Sequence, residues 1–548
     1  MTGWQSDRTV PGADTMNQHT ALHSPSATSN RTPWWLYLGI YVVSVSVLAL
    51  FAWQVPGPLD IDSAYYFLVG RNLAQGRGLV VDAVWHFFQP PAAWPQPAGD
   101  MWMPLPSLLI APAMLLGSTF RHAQIAQVLL AGILPLLAWR IAREEGAPWP
   151  WAGLAALLTL LAGTVTIHWV DTDSYTAFAV VGGAALYATG RARDNPRWLI
   201  AAGLLSGLAA ITRNDGILLL GVLWLAALLL TRRSQRPFPW KHLLLGTAAF
   251  LLPWGTWTIR NVLVLGRPSA VPLSFLLTLR NYEHLFRVQP QADWAGFWSQ
   301  GIGPFFSLRL EALVASLIIL IGNFQAWGLL PLLGIGLGLR RRPALWPAFL
   351  YLLVLFLALV VAFPLLVMHG TWSRSLAAFL PTGYTCMALG LYRLTERLCH
   401  WRPALPKQLV HGTFLVLGAL LTVVVGLTAA SAQLQTARTH PETWKQIGDW
   451  LRENSQPDEV IMAKDPMAVL LYSDRRAIGI PYLDEGNQGL EEIFRQYHIT
   501  KIVLVDDRGL PPTLQELYAA GTSQGQFVLL WQQEEIQVYG LDWPVILP

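Results

Sequence analysis

Long apolar runs, each bracketed by Arg, Trp or Pro, recur along the first four-fifths of the chain and restrict its fold more than any other feature. A run of about 17–25 apolar residues can cross a bilayer as a helix. Lipid offers no hydrogen bonds to a bare backbone, so a chain that repeats such runs must close its peptide groups inside helices. Composition agrees: of 548 residues, 53% are hydrophobic and 13% charged, with 26 Trp and a mean hydropathy of +0.40. Soluble proteins carry about 25% charged residues. The deficit of charge excludes a large soluble enzyme as well as a disordered, collagen-like or coiled-coil chain. The net charge is +4 and the basic residues flank the apolar runs, which speaks against a nucleic-acid partner. Cys386 lies in an apolar run and Cys399 in a basic loop, so the two cannot form a disulfide framework and read as structural.

Residues 1–33 are polar and rich in Ser, Thr and Asn, and are expected to form a disordered cytoplasmic N-terminus. The stretch from Trp34 to Val55 lacks a small-residue cleavage site and is longer than a signal core, so it reads as an uncleaved first span. The pattern predicts about 11 spans, over 34–55, 122–141, 150–168, 175–190, 198–212, 216–231, 243–259, 318–339, 345–367, 375–394 and 409–430. Alternate loops then hold the basic clusters around Arg140, Arg191, Arg232, Arg340 and Arg393, which belong on the cytoplasmic side. The run 104–117 is short and Pro-rich and reads as juxtamembrane or re-entrant. This orientation places loops 56–121 and 260–317 and the tail 436–548 outside the cytoplasmic (cell) membrane, leaving 34–435 as the membrane domain. In the tail, charges become frequent. An amphipathic helix (443–453), strands at 459–463 and 501–505, a helix at 489–497 and a terminal hairpin predict a small extracytoplasmic α/β domain. The predicted fold class is thus an all-α polytopic membrane bundle with that domain at its C-terminal end.

Charges at membrane depth cost about 2.5–3.5 kcal/mol on lenient scales, so clusters of them need a reason. Asp60-Ile61-Asp62 follows the first span directly and precedes Tyr65, Tyr66, Arg71 and Asn72 at helical spacing. Two carboxylates so close raise one pKa or recruit a cation, which suits a general base or a metal site. A helix N-cap at Asp60 or Asp62 fits the same residues. Asp171 and Asp173, with His168 before them, fit metal ligands, a substrate clamp or a solvated connector. Arg213, Arg260 and Arg374 fall on the outside, against the positive-inside bias. Planar guanidinium groups there suit bidentate phosphate binding, which points to an anionic-lipid headgroup site.

The stretch from Asp60 to Gly78, with Asp62, Tyr66 and Arg71 at their spacing, resembles the first extracytoplasmic loop of the integral-membrane C-type glycosyltransferases. That superfamily includes the protein O-mannosyltransferases and the bacterial lipid A aminoarabinose transferases. Trp102–Pro106, Thr212–Gly216, Pro253–Asn261 and Arg374 with Pro381 resemble further segments of the group. The usual Asp-Glu dipeptide is replaced here by Asp60-x-Asp62. The resemblance implies transfer of a sugar from a polyprenyl-phosphate carrier to an acceptor hydroxyl on the outer face of the membrane; the acceptor is a glycan, lipid or protein. In that scheme Asp62 is the general base, and Asp60 assists it or, with Asp62, holds a divalent cation such as Mg or Mn. Arg260 and Arg374, with Arg213 beside them, stabilise the departing phosphate. Asp171 and Asp173 bind or orient the acceptor, and Tyr66 and Arg71 belong to the same substrate site. Trp85, Trp94 and Trp102 are sugar-stacking platforms, whereas Asp465, Asp474, Asp506 and Asp507 of the tail read as caps, turns and solvated surface. The competing classes are a transporter or flippase, which predicts charges within spans and paired broken helices, and a non-catalytic binder of lipid-linked sugars.

Overall fold

The computed structural model describes residues 33–88, 93–234, 237–324, 343–483 and 489–542. The expected N-terminal tail and much of the span expected at 318–339 lie outside the described residues. Helices dominate from Trp34 to Asn454. Among the described residues, Trp34–Gln54, Phe120–Glu144, Ile302–Asn323 and Lys407–Asn454 are long and apolar enough to cross a membrane. The first of these, α1, has 21 residues and so reaches about 30 Å at 1.5 Å per residue. Other apolar helices are shorter, including Trp149–Leu160, Trp198–Ala210 and Trp346–Ala362. Helices pack closely where glycines meet: a Cβ at Gly203 would collide with the carbonyl of Gly246, so Trp198–Ala210 and Trp240–Leu265 can only cross there without side chains.

Two stretches differ from the expectation. The helix Trp240–Leu265 runs past residue 260 and Ile302–Asn323 is one continuous helix, so the loop expected over 260–317 is confined to the segment between them. The amphipathic stretch 443–453 is the end of the helix Lys407–Asn454, not a separate element. Its hydrophobic pattern continues across Pro441, and Trp444, Ile447 and Leu451 are buried.

After α1 the chain turns into α2 (Ile61–Ala74). Asp60 begins it with a capping box: its carboxylate accepts from the Ser63 amide at 2.9 Å, and its own amide donates to the Ser63 hydroxyl at 2.9 Å. The Pro-rich run forms α3 (Leu105–Met114), a helix of 10 residues that is too short to cross. Between α2 and α3 lie the short strands β1 (Val80–Val81), β2 (Ala83–Val84) and β3 (Gln96–Pro97).

The C-terminal strands are β4 (Val460–Ala463), β5 (Arg476–Ile478), β6 (Ile499–Leu504), β7 (Phe527–Gln533) and β8 (Ile536–Leu541). They form a sheet of six strands in the order β2-β5-β4-β6-β8-β7. Strands β2, β5, β4 and β6 are parallel, and β8 and β7 close the sheet as an antiparallel hairpin. Every residue of β4 is buried, as a central parallel strand with both faces covered requires. The edge strand β2 comes from the loop after α2, with Ala83 opposite Ala477 and Val84 opposite Ile478. That loop and the C-terminal sheet therefore share one core.

Candidate active site

Arg374 organises the site. It lies in the one-turn helix Thr371–Leu376, begun by Gly370 at φ +86°. A Cβ at Gly370 would strike the Arg374 guanidinium, so only glycine leaves room for the side chain to turn back. Nη2 of Arg374 lies 2.6 Å from Asp60 and 3.2 Å from Asp62, and Nε lies 2.7 Å from Asp173. Carboxylates from the start of α2 and from the connector before the helix Ser174–Arg191 thus meet on one guanidinium. The Thr172 hydroxyl donates to the Ser63 carbonyl at 2.7 Å and ties that connector to α2.

Asp62 is 22% exposed and accepts a hydrogen bond from Trp102 Nε1 at 2.9 Å. Burial pushes its carboxyl up; Arg374 pulls it down, and the charges of Asp60 and Asp173 push it up again, to about 6. Asp173 begins the helix Ser174–Arg191 as its N-cap. Burial raises this carboxyl too, but the Arg374 guanidinium outweighs burial and holds it below the usual range. Asp171 is fully buried, with Oδ1 taking the Thr172 amide at 2.8 Å and Oδ2 unpartnered. Burial, with Asp60 and Asp173 adding, pushes its carboxyl well above the ordinary value. The solvated connector expected at Asp171 and Asp173 is thus a sealed one. His168 stacks on Tyr175 with centroids 4.5 Å apart.

An aromatic wall stands beside Asp62. Trp102 stacks on Tyr65 at 4.4 Å, Trp85 meets Trp102 at 4.8 Å, and Phe286 meets Trp85 at 4.9 Å. The Tyr65 hydroxyl accepts from the Gly99 amide at 2.7 Å. Trp94, expected as a platform, packs instead against the core of the C-terminal sheet. Tyr282, which no motif singled out, stacks on His369 at 3.6 Å, and its phenol is pushed up to about 12 by burial and by the nearby Asp62. Tyr66 is buried within the base of α2.

The arginines separate. Arg213 pairs with Asp215 at 2.9 Å and reaches the hydroxyls of Ser174 and Ser375. Arg71 pairs with Asp474 of the C-terminal sheet at 3.3 Å, so this residue joins α2 to that region rather than facing the acids. Arg260 lies over the Trp257 ring at 4.8 Å and donates to Asn261 at 3.0 Å. Among the described residues it has no carboxylate within ion-pair distance.

Among the described residues no group of three or more His, Cys, Asp or Glu side chains is arranged to hold a metal ion. Asp60 and Asp62, expected as possible ligands, do not fit a divalent cation as they stand, because the guanidinium of Arg374 already fills the position between them.

Residues 97–257 match the dolichyl-phosphate-mannose-protein mannosyltransferase family. No curated protein matches the chain. The fold is that of the integral-membrane C-type glycosyltransferases, as the sequence resemblance implies. Within that class, ArnT from Cupriavidus metallidurans bound to undecaprenyl phosphate superposes with a TM-score of 0.58 at 16% identity, covering 92% of this chain and 97% of ArnT. Its apo state gives 0.56 at 15% identity over the same shares. The oligosaccharyltransferase AglB from Archaeoglobus fulgidus, with an inhibitory peptide and a dolichol-phosphate, gives 0.48 at 13% identity over 86% of this chain and 69% of AglB.

Proposed function

We propose that the protein transfers a sugar from a polyprenyl-phosphate carrier to an acceptor hydroxyl on the outer face of the cytoplasmic membrane. The observation that carries this reading is Asp62: a half-buried carboxylate between Arg374 and the Trp102 indole, with its pKa lifted toward the working range of a general base. Asp62 takes the proton of the acceptor hydroxyl as the oxygen attacks the anomeric carbon. A new C–O bond forms, the bond from that carbon to the carrier phosphate breaks, and the phosphate leaves with the electron pair. Asp60 and Asp173 act through Arg374, holding it so that its charge steadies the Asp62 carboxylate. Arg260, free of a carboxylate partner among the described residues, is the guanidinium left to meet the phosphate in this scheme, with Arg374 held by three aspartates. ArnT, whose structure contains undecaprenyl phosphate, supports a carrier of this class.

The test is mass spectrometry of surface glycans in cells expressing the wild type or Asp62→Asn at equal membrane abundance. Loss of a glycan with Asp62→Asn is the expected result. Unchanged glycans overturn the transferase reading and leave a transporter or a non-catalytic binder.

A further inference from the structure

The parallel strands of the C-terminal sheet end on the side of the acidic site. In open α/β sheets ligands settle outside the carboxyl ends of the strands. The strand β2 runs directly into Trp85 and His86, and Trp85 joins the aromatic wall through Trp102 and Phe286. The strand β4 runs into Lys464 and Asp465, and the helix that Asp465 caps, Pro466–Ser473, packs beside α2. Neighbouring contacts hold this edge down: the Gly479 amide donates to the Val84 carbonyl at 2.7 Å, the Tyr482 amide donates to the Phe286 carbonyl at 3.0 Å, and Lys464 pairs with Asp506 at 2.9 Å.

Two groups on this edge have chemistry that packing does not use up. His86 is 5% exposed, with Nε2 2.8 Å from Asp100, while its other ring nitrogen is buried without a partner. Such an orphan is costly unless a ligand satisfies it. Asp465 is the second: at the carboxyl end of β4, one of its oxygens takes the Ala468 amide at 2.9 Å, and burial pushes the carboxyl up to about 6. The tail carboxylate expected as a cap is indeed a cap, and the helix it begins packs beside α2.

We infer that Trp85, His86 and Asp465, at the carboxyl ends of β2 and β4, form the acceptor subsite, and that the acceptor is a carbohydrate. The indole face suits the apolar face of a pyranose, and a carboxylate with a ring nitrogen suits its hydroxyls. The inference rests on the transferase reading for the word acceptor, but its test does not depend on turnover.

Full-length protein in nanodiscs is applied to arrays of immobilised bacterial oligosaccharides and of Ser/Thr peptides, and separately titrated with radiolabelled undecaprenyl phosphate. Asn is as good an N-cap as Asp, so Asp465→Asn keeps its helix; Trp85→Leu is the second variant, and thermal unfolding checks that both are folded. The wild type should capture glycans. Asp465→Asn and Trp85→Leu should each weaken that capture at least tenfold while leaving undecaprenyl phosphate binding unchanged. Equal glycan capture by a folded variant, capture of peptides in place of glycans, or capture of neither overturns the inference. If glycans are captured as expected while Asp62→Asn leaves cellular glycans intact, the transferase reading fails and the carbohydrate subsite stands.

Discussion

Asp60-Ile61-Asp62 and Asp171-Thr172-Asp173 share one spacing, and the fold treats them in opposite order. In the first pair the leading aspartate is the N-cap, which leaves Asp62 in the opening turn of α2, facing Trp102 and Arg374. In the second the trailing aspartate is the N-cap, and Asp171 falls before the helix, fully buried with one oxygen unpartnered. Both caps reach Arg374. The other member of each pair therefore differs only by its place relative to a helix start, and that place makes one accessible and seals the other. Spacing alone nominates a pair; the capping register decides which carboxylate stays open and which is sealed.

The sharpest way to break this contrast is to neutralise one accessible and one sealed member. Asp62→Asn should lower kcat by about 10²–10⁴-fold, the usual worth of a general base, measured as sugar transfer by membranes holding equal amounts of protein. Arg374→Ala should come next. It leaves three carboxylates without their cation, and breaking a buried pair costs about 3–5 kcal/mol, read as a lower midpoint of thermal unfolding in nanodiscs. Arg374→Lys should restore only part of it, because an ammonium lacks the fork that spans Asp60 and Asp173. If Arg374→Ala unfolds at the wild-type temperature, the carboxylates are not held by this guanidinium.

The pH profile gives a third effect. A base acts only when deprotonated, so a carboxyl raised to about 6 loses activity tenfold per unit below that pH, and activity is level above it. A limb near 4, the ordinary Asp value, would mean that Asp62 is better solvated than the structure has it. Asp171→Asn should change transfer by no more than about threefold, since the amide is isosteric and burial already favours the uncharged form of this carboxyl. A loss equal to that of Asp62→Asn would erase the distinction between the pairs. Smallest is Trp102→Phe. The indole hydrogen bond lowers the Asp62 pKa, so its removal should move the acid limb up by about one unit.

The helical body, α2 and the strands at 460 and 499 were legible because each carries a local pattern: apolar runs, an acidic start before an apolar helix, short β-branched stretches between turns. The likeness to membrane glycosyltransferases was legible for the same reason. The meeting of Arg374 with three aspartates was not, since it depends on how separate helices cross. The partner of Arg71, Asp474, lies in a region with no motif of its own. The helix start at Ile302 was not found, since the span was expected only from 318 and the residues before it fell in the loop expected over 260–317. Two residues are too few to announce a strand, so β2 had no signature, and its pairing is wholly non-local.

That short strand also dictates an order of assembly. Ala83 emerges from the ribosome with the first loop, whereas Ala477, its neighbour in the sheet, follows only after the whole membrane domain. Until then its edge stays unpaired, and the long chain between the partners makes closure slow. The aromatic wall beside Asp62, which Trp85 joins directly after β2, therefore gains its brace from the C-terminal sheet only after the helical body has been made.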